Sequence, residues 1–314
     1  NLHEAGVPGP TRFYQFVESI RYMGYSSTTP DEIAQRLRDA TIAITTMTPI
    51  SIKDLDHCPS LKCILVTSTG VDWIDRDAFM QRGIRVLNTP HTNIAAVAEH
   101  AIALYFASRR RVVELHGIMT TTDEYYERRT LKHGFPELPL GCSQETLGIF
   151  GYGHLGKRIE SIATALGMRV MVAERKGQPS RDGRVAFEDV LREATVLIIA
   201  APKNRDTIEM ISKDELKMMR GNAILINVAR GGIVNEKDLV KALRNGWIGG
   251  AAVDVYDGEP PQRGVSHLLE DDIPNLILSP HLAWLSAQTI ANLQEGIIKG
   301  LTAYVAGESV NVIL

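Results

Sequence analysis

Short apolar runs alternate along almost the whole chain with longer segments whose apolar positions recur every three or four residues. The first pattern is that of strands buried on both faces and the second that of amphipathic helices. The chain therefore reads as parallel α/β rather than as a sandwich or a helical bundle. Strands are predicted at TIAIT (41–45), LKCILVT (61–67) and IRVLN (84–88). Ahead of the first, Thr29, Pro30, Asp31 and Glu32 combine a cap, a first-turn proline and two acids, opening a helix to about Arg38. Residues 1–30 otherwise show no clear strand and start without Met, so an incomplete N-terminus is expected.

From residue 94 to about 119 a long helical pattern runs with no Gly or Pro before Gly117, and it marks the entry to a second domain. A polar, irregular stretch, TLKHGFP (130–136), follows. Further strands are predicted at TLGIF (146–150), MRVMVA (168–173), TVLII (195–199), AILINV (223–228), GAAVDV (250–255) and LILS (276–279). With helices between them, they suit a doubly wound sheet. A helical segment from about Ser286 to Tyr304 closes the chain.

Composition narrows the class. A chain of 314 residues, 44% hydrophobic and 23% charged, has material for about two ordinary domains. The net charge of -3 supplies no electrostatic footprint for nucleic acid or a membrane surface, and the run Arg109, Arg110, Arg111 reads as a solvated helix face. Three cysteines, Cys58, Cys63 and Cys142, are odd in number and lack C-x-x-C spacing, so neither a disulfide framework nor a metal site is expected and a reducing compartment fits. The most apolar helical segment, IAAVAEHAIALYFA (94–107), is broken by Glu99 and His100, short of the ~18 apolar residues of a membrane span. The N-terminus also lacks a basic-then-apolar signal. The expectation is a cytoplasmic protein with no nucleic-acid partner, no membrane segment and no metal.

The stretch TLGIFGYGHLGKRIE (146–160) fits two phosphate-binding patterns. Gly151, Gly156 and Lys157 match part of a nucleoside-triphosphate loop, but Arg158 stands where a hydroxyl should meet magnesium. Gly151, Gly153 and Gly156 also match the dinucleotide fingerprint, and here a strand precedes and an amphipathic helix to about Leu166 follows. Glu174 ends the next strand about 20 residues on, where the acid for the adenosine ribose belongs. The dinucleotide reading prevails. Gly151 permits the turn, Gly153 lets the backbone approach the pyrophosphate, Gly156 allows close helix packing, and the amides near His154 and Leu155 face the phosphate. Glu174 favours NAD by accepting from a free 2′-hydroxyl, while the adjacent Arg175 and Lys176 leave NADP open, as groups for a 2′-phosphate or as solvated side chains.

Three later segments, INVARGGIV (226–234), DVYDGEP (254–260) and LSPHLAW (278–284), each lie at or just after a strand end, where open α/β sheets bind ligands. Arg230, Glu259 and His281 are thereby candidates for one cleft. With the glycine fingerprint, TSTGVD (67–72) and AVAEH (96–100), these segments closely resemble the D-isomer-specific 2-hydroxyacid dehydrogenase family, from about Ala40 to the C-terminal helix. HLAW (281–284) and AERKG (173–177) are most similar to its glycerate dehydrogenase or hydroxypyruvate reductase branch.

The resemblance implies a Rossmann-type dinucleotide domain, 94–284, and a smaller flavodoxin-like α/β substrate domain from both chain ends, 1–93 and 285–314. It implies an NAD(P)-dependent oxidoreductase acting on a small 2-keto or 2-hydroxy acid, hydroxypyruvate or glyoxylate being favoured, and a homodimer. His281 is then the acid/base, Glu259 its carboxylate partner and Arg230 the substrate clamp. Hydride delivery to a keto carbon creates an alkoxide that an imidazolium can protonate, a carboxylate favours that imidazolium, and a guanidinium fork suits a substrate carboxylate. Ser68, Thr69 and Gly70 are implied as a backbone carboxylate loop, Trp284 as a wall of a small pocket or a hinge anchor. Asp254 is implied near the nicotinamide carboxamide, Val228 and Ala229 beside its ring, and Pro202 and Thr207 near the adenosine, in a segment that departs from the family by an Ala where His is common. Glu99 and His100 read as structural, and a thiol nucleophile at His57-Cys58 is disfavoured. Two rival functions stay open: a dehydrogenase for a bulkier 2-hydroxy acid, and a non-catalytic dinucleotide-sensing protein of the same fold.

Overall fold

The structure, a computed structural model, describes residues 21–46, 48–71, 73–135 and 137–313. It divides into two compact units, one of the described residues up to Asn93 with those from Leu285 onward, the other Ile94–Trp284. In the first, β1 (Ile42–Thr45), β2 (Cys63–Val66) and β3 (Arg85–Asn88) form a parallel sheet in the order β1-β2-β3, with Ile44 opposite Leu65 and Leu65 opposite Leu87. Strand β2 is buried on both faces, which is why it reads as an unbroken apolar run. On one side Ile64 and Val66 pack with Ile33, Leu55 and Phe79; on the other Cys63, Leu65 and Leu87 meet Ile297 and Leu301 of the helix Ala287–Val305. Ser286 caps that helix by accepting from the Thr289 amide at 3.1 Å. The expected first helix is a 3₁₀ turn, Pro30–Glu32, running into Ile33–Leu37, and Glu32 reaches back to the Thr29 amide at 2.9 Å. Asp72 of the TSTGVD segment, and most of the first thirty positions, lie outside the described residues.

The larger unit carries β4 (Thr146–Phe150), β5 (Arg169–Val172), β6 (Val196–Ile199), β7 (Ile224–Asn227), β8 (Gly250–Val253) and β9 (Leu276–Leu278), all parallel, in the order β5-β4-β6-β7-β8-β9. The chain leaves β4 for one edge and returns to its other side at β6, so the switch point lies beside β4, the strand that leads into the glycine loop. Apolar residues alternate between two cores. Leu147, Ile149, Ile198 and Ile226 face the helices Ile94–Arg109 and His154–Ala165, whereas Phe150, Leu197, Ile199 and Leu225 face Phe187–Glu193 and Glu236–Arg244.

Two expectations are corrected here. The helix expected from 94 to about 119 is two helices, Ile94–Arg109 and Val112–Thr121, with Arg111 between them at φ 50°. The first is buried along most of its length and the second contains no buried residue, so the burial that holds the first does not extend past Arg109. Nor do the three arginines form one solvated face. Arg109 is 8% exposed, its Nε donates to Glu145 Oε1 at 2.6 Å, and its two terminal nitrogens donate to the carbonyls of Asn222 and Thr195 at 2.7 and 2.9 Å. Tyr105 and Thr195 hydroxyls donate to the same carboxylate. Burial, then the Glu145 charge, pushes the Tyr105 phenol far up. Glu145, Thr195 and Asn222 precede β4, β6 and β7, so this network closes the end of the sheet opposite the glycine loop.

Candidate active site

The fit of a dinucleotide is tested by the glycines. Gly151 follows β4 at φ +98°, and a Cβ there would stand 2.5 Å from the Ala201 amide nitrogen; one on Gly156 would stand 2.3 Å from the Gly151 carbonyl oxygen. Around Gly153 a Cβ would meet nothing within 4 Å. The first and third glycines are therefore demanded by backbone contact, and the second borders open space, which is what a pyrophosphate approaching the loop requires. Helix His154–Ala165 begins at once, its first bond running from the Lys157 amide to the Gly153 carbonyl at 3.0 Å, so its positive end opens beside that space. Leu155 packs against the core below. These residues fit the group.

Glu174 lies just past β5 and is 3% exposed. Arg181 Nε donates to its Oε2 at 2.6 Å, while Arg181 Nη2 and the Arg175 amide donate to Oε1 at 2.7 and 2.9 Å. Arg181, chiefly, and the Arg175 amide hold the carboxyl down at about 2. The side chains of the two neighbouring basic residues are both exposed, but Lys176 turns to Glu215, 2.8 Å away, and donates to the Met210 carbonyl at 3.3 Å, so it is not on the Glu174 carboxylate. In the loop after β6, the Thr207 hydroxyl donates to the Pro202 carbonyl at 2.7 Å, bringing those two residues together.

Arg230, Glu259 and His281 leave the ends of β7, β8 and β9. Asn227 closes the first turn, its side-chain amide donating to the Arg230 carbonyl at 2.9 Å and its oxygen accepting from the Ala229 amide at 3.1 Å. Val228 and Ala229 are buried in the cores on opposite sheet faces. A Cβ on Gly231 would fall 1.7 Å from the Tyr256 carbonyl oxygen, so glycine there lets the Arg230 loop lie directly against the loop that carries Glu259. Glu259 Oε2 lies 2.6 Å from His281 Nδ1, and Oε1 accepts from the Tyr256 amide at 2.9 Å. Burial by itself would raise the Glu259 carboxyl. The His281 and Tyr256 hydrogen bonds, with the His281 and Arg230 charges, outweigh it and hold the group below its ordinary value. His281 has φ +54°, a conformation uncommon outside glycine and asparagine. Buried Asp254 stabilises that turn, its two oxygens accepting from the Leu282 and Ala283 amides, each at 3.0 Å. Asp254 is thus an anchor of the His281 loop, a part its sequence neighbours did not disclose.

His100 is more than a helix residue: its Nε2 lies 3.1 Å from Ser279 Oγ and 3.7 Å from Asp254 Oδ1, tying the first helix of the unit to the base of the same loop. Trp284 is half-buried and packs on the core with Ala283. In the smaller unit, Ser68, Thr69 and Gly70 form a turn at the end of β2; the Ser68 hydroxyl donates to the Gly70 carbonyl at 2.6 Å and the Asn88 amide to the Thr69 carbonyl at 3.0 Å. Cys58 and Cys63 are buried, and burial raises both thiols, Cys63 to about 12, away from the thiolate form a nucleophile needs. Among the described residues no group of His, Cys, Asp and Glu is arranged to hold a metal, and no helix is long and apolar enough to cross a membrane. Arg181, Gly231, Asn227 and Ser279 were not singled out from the sequence. Gly231 carried a usable signal, the first of two glycines directly after a strand-end Arg.

Comparison with known proteins matches residues 102–283 to the family described as D-isomer specific 2-hydroxyacid dehydrogenase, NAD binding domain. The chain is 40% identical over 293 residues to a glycerate dehydrogenase of Methylorubrum extorquens, covering 93% of this chain and 91% of the relative. It is 32% identical to a glyoxylate reductase of Thermococcus litoralis, covering 88% and 84%. A solved acyclic imino acid reductase in complex with NADPH and D-Arg superposes with a TM-score of 0.80 at 26% identity, over 97% of this chain and 96% of the other. The matched domain, the parallel sheet with its glycine loop and this extent of identity establish that the chain belongs to the D-isomer specific 2-hydroxyacid dehydrogenase family, NAD-dependent oxidoreductases of two-domain Rossmann type.

Proposed function

We propose that the chain reduces a short 2-keto acid, hydroxypyruvate or glyoxylate, to the corresponding 2-hydroxy acid, and that His281, Glu259 and Arg230 carry the reaction. The observation behind this reading is the 2.6 Å pairing of His281 with Glu259 at strand ends that also present Arg230. The relatives named glycerate dehydrogenase and glyoxylate reductase support the substrate class. Bound NADH, or NADPH, supplies the hydride. His281 Nε2 donates the proton to the developing alkoxide, and Glu259 on Nδ1 orients the ring and stabilises its charge. Arg230 pairs with the substrate carboxylate and polarises the keto oxygen. The turn 68–70 is assigned to the substrate carboxylate and Trp284 to the pocket wall. Gly151, Gly153, His154, Leu155 and Gly156 cradle the pyrophosphate, Glu174 and Arg175 border the adenosine ribose with Pro202 and Thr207 nearby, and Val228, Ala229 and Asp254 border the nicotinamide.

A spectrophotometric panel tests this. NADH or NADPH oxidation with hydroxypyruvate or glyoxylate is expected at a kcat/KM about tenfold or more above that with branched or aromatic 2-keto acids. Preference for a bulky acid would overturn the substrate, and dinucleotide binding with no turnover on any acid would leave a sensor.

We further propose a homodimer working in the cytoplasm. Val112, Val113, Met119, Tyr125, Tyr126 and Leu138, all between residues 112 and 138, are at least half exposed, apolar side chains that a second copy would cover. Light scattering on the purified protein is expected to give twice the chain mass, and cell fractionation to recover the activity in the soluble fraction; a monomer, or membrane-bound activity, would contradict the respective half.

A further inference from the structure

The loop after β5 places an arginine directly on the carboxylate expected to read the adenosine ribose. A bare carboxylate there repels a 2′-phosphate. Here Arg181 Nε and Nη2 grip the two oxygens of Glu174 side by side, a bidentate fork that orients the guanidinium while cancelling the negative charge. A guanidinium has five donors, and this grip uses one on Nε and one on Nη2, so the Nη1 side can serve another anion without releasing Glu174. The Arg181 side chain is 65% exposed although the carboxylate beneath it is 2% exposed, so the donor side is accessible and its anchor is fixed. Further positive charge borders the glycine loop and the neighbouring residues of the β5 loop. The Arg184 guanidinium lies 4.5 Å from the centre of the Tyr152 ring, within the glycine loop, Lys157 Nζ lies 5.8 Å from that ring, and Arg175 is exposed next to Glu174. Lys176, the other basic residue beside Glu174 in the chain, is engaged by Glu215.

We infer that Arg181 is the specificity-determining residue that receives the 2′-phosphate of NADP(H), held in place by Glu174, and that the protein accepts both nicotinamide dinucleotides. With NAD(H), Glu174 accepts from the ribose hydroxyl as Arg181 swings outward; with NADP(H), Arg181 stays and bridges carboxylate and phosphate. This rests on the reading of Glu174 as the ribose contact.

Direct binding separates the two ideas. Adenosine 2′,5′-bisphosphate and adenosine 5′-monophosphate are titrated by calorimetry into the purified protein, Arg181→Ala, Arg181→Lys and Glu174→Ala. The unsubstituted protein is expected to bind the bisphosphate at least as tightly as the monophosphate. Arg181→Ala should weaken the bisphosphate by about tenfold or more and leave the monophosphate bound at least as tightly, since the guanidinium that competes for Glu174 is gone, with Arg181→Lys between, as a point charge without the fork. The ratio of kcat/KM for NADPH over NADH should fall by the same factor. If Arg181→Ala weakens both nucleotides equally, the arginine only shapes the loop and the inference fails; no change in either has the same result. Glu174→Ala reports on the underlying reading: weaker monophosphate binding keeps Glu174 at the ribose whatever Arg181 does, and unchanged binding of both nucleotides removes it.

Discussion

Replacing His281 with Asn is expected to lower kcat by about 10²–10⁴ while leaving NADH binding within about twofold. Asn is the informative choice because His281 sits at φ +54°, and asparagine tolerates that left-handed conformation better than alanine does. The turn anchored by Asp254 is then kept, and what is lost is the proton carried on the imidazole. Stopped-flow mixing with NADH and hydroxypyruvate, beside a fluorescence titration of NADH alone, separates the two quantities. A kcat within about threefold of the parent would remove His281 from proton transfer. The Glu259 carboxyl also carries a pH dependence of stability: because it lies below its ordinary value of ~4.3 in the folded protein, its contribution is present above that value and is lost as pH falls through the lower folded value.

The second large effect is on stability. Arg109→Met is expected to cost about 3–5 kcal/mol, because it leaves the buried Glu145 carboxylate without its cation and takes a donor from the Asn222 and Thr195 carbonyls, of which Thr195 keeps the Ile224 amide. For a unit of this size that corresponds to a fall in Tm of roughly 6–20 °C. The pair itself is not the source of all that energy. The double variant Arg109→Met with Glu145→Leu should recover much of the loss, since an apolar substitute has no charge to desolvate. Differential scanning calorimetry of both variants checks this, and a single variant within about 2 °C of the parent would show that water reaches Glu145 when Arg109 is gone. Activity below the transition should be retained, because the network lies at the end of the sheet opposite the glycine loop.

Most strands were legible because their signal is local: a buried parallel strand is an apolar run whatever it pairs with, and the nine runs predicted from periodicity are strands to within a residue or two at each end. The glycine loop was legible for the same reason, since its turn, cap and helix lie within one short stretch. Strand-end position made the trio candidates for one cleft, and the resemblance supplied the role of each. Residues whose partners are far along the chain were read poorly. Nothing near Arg109 announces that Glu145 takes it into the interior, nothing near Lys176 points to Glu215, and the break after Arg109 depends on where a neighbouring surface stops covering the helix.

By itself the amino-acid sequence determined the parallel α/β class, the dinucleotide loop and the family, because periodicity, turn chemistry and motif order act over a few residues at a time. Only the tertiary structure decided which charges neutralise one another, Arg181 on Glu174, Lys176 on Glu215 and Arg109 on Glu145, and which carboxylate holds the His281 turn, Asp254 through two backbone amides. Those pairings follow from strand order and loop paths, which bring together atoms that no local pattern connects, and the strength of each depends on burial that exists only once the chain has folded.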